Sequence, residues 1–198
     1  MKIIIVEDEA AIREGMEGIL KKLSPSYEVI GKAENGREGL SLIRSLRPDV
    51  ILLDIRMPDM DGLSMLGELL YEGKGVRRSA VQARRMWKKA AEAGDVLAMI
   101  ALGDDCMASG KGPGAALRYY RQAQTAARPT PDIAYMPQVR LRMAQYETQY
   151  LSRPRALAEM AEAKQGFKIQ LGEGDPAAEQ WLQETEDAIR RLLGDEKR

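Results

Sequence analysis

Histidine is absent from these 198 residues, and cysteine, phenylalanine and tryptophan are scarce, at one, one and two copies. Without His there is no imidazole for acid–base catalysis, for metal ligation or for phosphohistidine chemistry. The lone Cys106 excludes an internal disulfide. No apolar run approaches the roughly 18 residues of a membrane span, and none follows Met1-Lys2 as a signal peptide would. The 30 basic and 30 acidic residues cancel, so no global field favours nucleic acid or an anionic membrane. These absences predict a cytoplasmic, bacterial-type protein that binds neither nucleic acid nor membrane, with enough chain for one or two domains.

Acids at strand ends are what the chain does have. Ile3-Ile4-Ile5-Val6 reads as a buried strand that stops on Glu7-Asp8-Glu9, and Val50-Ile51-Leu52-Leu53 is a second that stops on Asp54 before the turn Met57-Pro58-Asp59-Met60-Asp61-Gly62. In an open parallel sheet, ligand chemistry gathers beyond the carboxyl ends of the strands, where strand order reverses. Glu7, Asp8 and Asp54 would meet there and repel one another, and a hard divalent cation, Mg2+, would balance them. With that charge balanced, Asp54 could attack a phosphoryl donor and carry an acyl phosphate. The competing explanation is an idle pocket, kept because residues 50–53 pack a core.

These residues, with the helix-like Ile12-Arg13-Glu14-Gly15-Met16 and the turn Glu34-Asn35-Gly36, resemble the first half of a response-regulator receiver domain of two-component signalling, over residues 1 to about 66. The resemblance implies Asp54 as phospho-acceptor, Glu7, Asp8 and Asp54 as metal-side acids, and the backbone carbonyl of Arg56 as a further ligand. It implies a sensor histidine kinase or a small phosphodonor as partner, and no enzymatic activity beyond self-phosphorylation. Receivers carry two more strands, ending in a Ser or Thr and in a Lys that hold the phosphoryl group. After Gly62 no β-branched run of four residues remains and no Lys-Pro pair occurs. Lys32, Lys74 and Arg56 are the candidate substitutes.

From residue 63 the sequence changes to Ala, Gly, Leu, Tyr and charges at helical spacing. The segment Leu66-Gly67-Glu68-Leu69-Leu70-Tyr71-Glu72-Gly73-Lys74-Gly75 is echoed from Leu102-Gly103 on, a period of about 36 residues. Ala83, Trp87 and Ala90 are echoed by Ala116, Tyr120 and Ala123. These positions resemble Sel1-like repeats, relatives of tetratricopeptide repeats, over about residues 63–127, which implies stacked helix pairs that bind a protein partner. Trp87, Tyr119 and Tyr120 read first as packing between helices, and Arg77, Arg78, Arg84, Arg85, Lys88 and Lys89 as a solvated face. Met16, Met65, Met86, Met99, Met143 and Met160 read as adaptable core filling. Beyond Pro129-Thr130-Pro131, helices are predicted near 137–151, 153–171 and 176–193. Capping side chains with early prolines open them at Ser152 and Asp175, and Asp195 to Arg198 form a solvated tail.

The expected fold is α/β followed by all-α: a truncated flavodoxin-like sheet with strands 3–6, 27–32 and 50–54 in the order 2-1-3, helices near 10–22 and 36–46, then an α-solenoid of helix pairs. The expected divisions are a receiver-like part (1–62), Sel1-like repeats (63–127) and a further hairpin with a capping helix (128–198). Strand 50–54 becomes an edge, which makes a homodimer through it an expectation. Two functions follow: a phosphorelay response regulator with the repeats as protein-interaction output, or an unphosphorylated scaffold whose half-receiver caps the repeats.

Overall fold

The structure is a computed structural model that describes residues 1–57, 60–110, 113–127, 136–150, 152–175 and 177–194. In chain order the elements are β1 (Lys2–Val6), α1 (Ala10–Leu23), β2 (Glu28–Ala33), α2 (Gly36–Leu46), β3 (Val50–Leu53), α3 (Gly62–Glu72), α4 (Ala80–Glu92), α5 (Val96–Ala108), α6 (Pro113–Ala126), α7 (Met136–Tyr150), α8 (Arg153–Gly172) and α9 (Ala177–Gly194). By compactness the chain divides into Met1–Ala98 and Met99–Arg198. That is a different criterion from the motif boundaries at 62 and 127.

In the first unit the strands are parallel, in the order β2-β1-β3. β1 is central because it is apolar on both faces: Ile3, Ile4, Ile5 and Val6 are each 1 % exposed or less. Burying each such side chain contributes about 1.5–3 kcal/mol. Ile4 and Val6 meet Leu40 and Ile43 of α2 and Met65 and Leu69 of α3 in one apolar cluster. α2 starts where the Asn35 Oδ1 cap accepts from Glu38 N at 2.9 Å, while Glu38 Oε2 accepts from Glu34 N, the residue before the cap, at 2.9 Å. α3 starts on Asp61, whose carboxylate accepts from Leu63 N at 2.6 Å, and ends at Gly73, whose φ of 74° is the left-handed value glycine adopts without strain. Parallel strands need crossover helices, which α1 and α2 supply.

β3 has β1 as a neighbour on one side, and no second strand pairs with it among the described residues. Along its outer side runs an apolar groove of about 470 Å3, walled by Ile51 and Leu53 of β3 and by Leu63, Leu66 and Leu69 of α3. α3 packs on α4 through a close approach: a Cβ at Gly67 would overlap the Trp87 indole, which is 2 % exposed and lies 5.3 Å from the Tyr71 ring. Gly73 and Gly75 carry the left-handed turn between the two helices. Ala83 and Ala90 flank Trp87 on the buried face of α4, while Arg85, Lys88 and Lys89 lie on its exposed face.

The second unit repeats that contact. A Cβ at Gly103 of α5 would overlap the Tyr120 ring of α6, and Ala116, Tyr120 and Ala123 are the buried residues of α6. The spacing returns in α8 as Ala156, Met160 and Ala163, each 1 % exposed or less, with α7 packed against it. Here Met160 stands where α4 and α6 carry an aromatic. α9 closes on α8 through Trp181, stacked on Phe167 at 6.3 Å, and through Leu192 beside Ala156 and Met160. Met136–Tyr150, Arg153–Gly172 and Ala177–Gly194 agree with the predicted helices within a residue or two. Ser152, expected to cap α8 with its side chain, makes no such bond; Pro154 in the first turn sets the start instead. Residues 129–131 and 195–198 lie outside the described residues.

Candidate functional site

β1 and β3 run side by side with Val6 in register with Leu53, so the residues that follow both strands emerge at one edge. Asp54 N donates to Val6 O at 2.9 Å and Glu7 N to Ala33 O at 3.0 Å, which carries the ladder one residue past each strand. One carboxylate oxygen each of Glu7, Asp8 and Asp54 lies within 4.8 Å of the others. Glu7 is buried at 5 % exposure, Asp54 is half-buried and Asp8 is exposed, so the cluster runs from the core out to solvent. Glu7 Oε1 accepts from Glu9 N at 3.1 Å and Asp54 Oδ1 from Ile55 N at 2.7 Å. These bonds fix orientation without neutralising charge.

Three carboxylates this close repel one another, and the penalty grows as solvent is excluded. The donor set fits a hard divalent ion: all three ligands are carboxylate oxygens, and neither a thiolate nor an imidazole belongs to the group. When bound, such an ion would draw electrons from a phosphoryl oxygen and screen the attacking carboxylate from the donor's negative charge. Arg56, whose carbonyl the receiver resemblance adds to the ligands, is exposed two residues past Asp54.

Two of the three candidate replacements for a phosphate-binding lysine, Lys32 and Lys74, are engaged elsewhere. Lys32 Nζ lies 2.7 Å from Glu17, which Lys21 and Lys32 hydrogen-bond and hold down to about 2, and Lys74 lies 3.3 Å from Glu72. A cation that does reach the acidic loop is Arg13, which the sequence pattern places in the helix. Its Nη1 donates to the carbonyl of Glu7 and, at 3.3 Å, to that of Asp8. Helical side chains lean toward the N-terminus, so an Arg in the first turn after an acidic loop reaches back over it. That spacing was the signal to be read.

The loop after Asp54 is held from behind. Gly62 N donates to Ile55 O at 2.9 Å, and a Cβ at Gly62 would overlap the Asp54 carbonyl. Asp61 N donates to Asp95 Oδ2 at 3.0 Å, while Asp95 Oδ1 accepts from Ser64 Oγ at 3.2 Å and from Ala98 N at 2.6 Å. Asp95 therefore caps α5 and ties down the start of α3 with one carboxylate, and burial pushes its pKa up. Leu66, Gly67, Tyr71, Gly73, Gly75, Ala83, Trp87, Ala90 and Gly103, the repeat positions, are packing and turn residues as described above.

The sequence profile of the response regulator receiver domain matches residues 3–102, about half of the chain. The chain belongs to this family. The match runs past residue 66, where the motif reading ends, through α3, α4 and into α5, although no strand follows β3 among the described residues. Among the relatives it matches, a protein-glutamate methylesterase/protein-glutamine glutaminase of Oleidesulfovibrio alaskensis is 43% identical over 72 residues, covering 36% of this chain and 19% of that protein. An uncharacterized response regulatory protein of Vibrio cholerae is 39% identical over 71 residues, 36% of this chain and 27% of that one. The transcriptional regulatory protein YdfI of Bacillus subtilis is 40% identical over 68 residues, 34% and 32%. The chain thus spans between a fifth and a third of the length of these relatives. Among solved structures, the signal receiver domain of the response regulator NarL from Mycobacterium tuberculosis is 33% identical, with a TM-score of 0.37, covering 43% of this chain and 76% of that one. Among the described residues no helix is long and apolar enough to cross a membrane.

Proposed function

We propose that this chain is a response-regulator-like signalling protein of a cytoplasmic phosphorelay, in which Asp54 accepts a phosphoryl group from a histidine kinase or a small acyl phosphate. The observation that carries the reading is the convergence of Glu7, Asp8 and Asp54 within 4.8 Å where β1 and β3 end. An Asp54 carboxylate oxygen forms a bond to phosphorus as the bond to the donor breaks, and the leaving group departs with that electron pair. Glu7 and Asp8, with the Arg56 carbonyl, would hold Mg2+ beside it. Arg13 keeps the acidic loop in place through its two carbonyls.

The helical part, read as Sel1-like repeats stacked into a solenoid, would pass the result to a protein partner. The methylesterase and transcriptional names belong to whole proteins of which this chain shares under a third, so no catalysis beyond self-phosphorylation is assigned to it. The open edge of β3 with its apolar groove supports a homodimer through residues 50–54. Sedimentation as a monomer at all concentrations would remove that part.

Intact-mass analysis after incubation with Mg2+ and acetyl phosphate tests the central step. Gain of one phosphoryl group by the wild-type chain, absent from Asp54→Ala, is the expected result. A second reading, an unphosphorylated scaffold with the half-receiver as a cap, draws support from the engagement of Lys32 and Lys74 elsewhere. A folded chain that gains no mass, and an Asp54→Ala variant that binds its partner normally, would select it.

A further inference from the structure

A second polar cluster lies in the unit Met99–Arg198. Arg142 of α7 donates from Nε to Asp104 Oδ2 at 2.9 Å and from Nη1 to Glu184 Oε1 at 2.7 Å and Gln145 Oε1 at 3.1 Å. Its guanidinium carbon sits 5.0 Å from the centre of the Trp181 ring. Tyr120 Oη donates to the other Asp104 oxygen at 2.7 Å. Four helices thus meet in one network. Beside it is a cavity of about 310 Å3 lined by Asp104, Met107, Tyr120, Arg142, Gln145 and Tyr146.

Asp104, Tyr120, Arg142 and Gln145 of the network also line the cavity. Arg142 Nη2 has no hydrogen-bond partner among the described residues. A carboxylate offers about four lone-pair sites, and Asp104 uses one on each oxygen within the network. The cavity therefore presents a fixed N–H donor beside a fixed oxygen acceptor, with the Met107 side chain and the Tyr120 and Tyr146 rings as apolar wall. The guanidinium is already oriented by Asp104, Glu184, Gln145 and Trp181, so little ordering is left to a ligand.

Charge decides the ligand class. Asp104 and Glu184 against Arg142 leave one negative charge in excess, which disfavours a carboxylate or phosphate. A cationic side chain would meet the guanidinium itself. A neutral group carrying both a carbonyl and an N–H matches both sides, and the peptide bond is such a group. We infer that this cavity binds a neutral, extended peptide segment of a partner protein, with a backbone carbonyl on Arg142 Nη2, a backbone N–H on Asp104, and an apolar side chain of leucine size against Met107, Tyr120 and Tyr146. The volume lies at the small end of ligand pockets and suits one such side chain with its flanking amides. This deepens the reading of the helical part as an output surface and does not depend on chemistry at Asp54.

The test titrates the full-length, 15N-labelled chain with three capped tripeptides, acetyl-glycyl-leucyl-glycinamide and its lysyl and glutamyl analogues, following the Arg142 Nε–H and Gln145 side-chain resonances. The leucyl peptide should shift them saturably, at least tenfold more tightly than either charged analogue. Met107→Trp, which fills the cavity and spares the network, should weaken that binding at least tenfold with the fold intact by circular dichroism. Ala108→Trp on the exposed rim serves if Met107→Trp does not fold. Tighter binding of the glutamyl or lysyl peptide, no saturable shift, or unchanged binding in the filled variant overturns the assignment. Labelling of Asp54 by acetyl phosphate without peptide binding defeats the cavity alone; peptide binding without labelling defeats the phosphorelay reading alone.

Discussion

In Met1–Ala98 three carboxylates of one sign converge at the ends of two parallel strands, oriented by backbone N–H groups. In Met99–Arg198 a phenol, two carboxylates and a guanidinium interlock between four helices, with one cation shared by two anions. The first arrangement is unbalanced as it stands and gains from an incoming cation. The second is nearly self-neutralising and loses from any deletion. A cluster that needs something added is a site for exchange, whereas one that already satisfies itself holds the structure and presents what it has left over.

Arg142→Ala attacks this contrast most strongly. It strands Asp104 and Glu184 in a half-buried setting and should cost about 3–5 kcal/mol in denaturant unfolding. Loss below 1 kcal/mol would mean the network is a surface decoration. Next in size are Gly67→Ala and Gly103→Ala, which press a methyl into the Trp87 and Tyr120 rings. Each should cost about 1–3 kcal/mol. Similar penalties would show that both units share one packing device, and very different ones would separate them. Gly15→Ala, where a Cβ meets nothing in the middle of α1, is the control and should gain about 0.5–1 kcal/mol.

Asp8→Asn should move the other way from Arg142→Ala. Relief of repulsion should raise stability by roughly 0.5 kcal/mol in metal-free buffer, and the rise in Tm with added Mg2+ should shrink. A wild-type melt unchanged by Mg2+ up to millimolar concentrations would break the comparison. The smallest expected effect is in pH dependence, with opposite signs. Hydrogen bonds from Lys21 and Lys32 depress the Glu17 pKa, so its contribution is present above the ordinary glutamate range and lost as pH falls toward about 2. Burial raises the Asp104 pKa despite Arg142, so its contribution is fully present below the ordinary aspartate range and lost as pH rises through the raised value. Denaturant melts of Glu17→Gln and Asp104→Asn across acid pH should show the wild-type lead shrinking on acidification for the first and on alkalinisation for the second.

What could be read in advance divides by sequence distance. The strands, their order, the helices and the acids at the strand ends follow from apolar runs, caps and turns that are local in the chain. The close approaches of α3 to α4 and of α5 to α6 were legible at Gly67 and Gly103, because glycine under a ring leaves a mark on sequence, whereas Met160 in α8 leaves none. Arg13 on the carbonyls of Glu7 and Asp8 was legible in principle from its place in the first helical turn. The bonds of Asp95 to Asp61 and Ser64, and of Arg142 to Asp104 and Glu184, join residues more than thirty positions apart, and no periodicity encodes them.

The sequence by itself determined a three-stranded parallel sheet, its family, and a carboxylate trio at one edge. Each rests on short-range patterns: β-branched runs that must be buried, and acids that a strand end must expose. Only the tertiary structure decided that Lys32 and Lys74 are engaged elsewhere, that Arg13 sits over the acidic loop, and that a guanidinium in the helical unit lines a cavity with one nitrogen unpartnered among the described residues. Those facts depend on which distant side chains the packing brings within hydrogen-bonding reach, and with charges as common as they are here, many pairings are possible until the helices are in place.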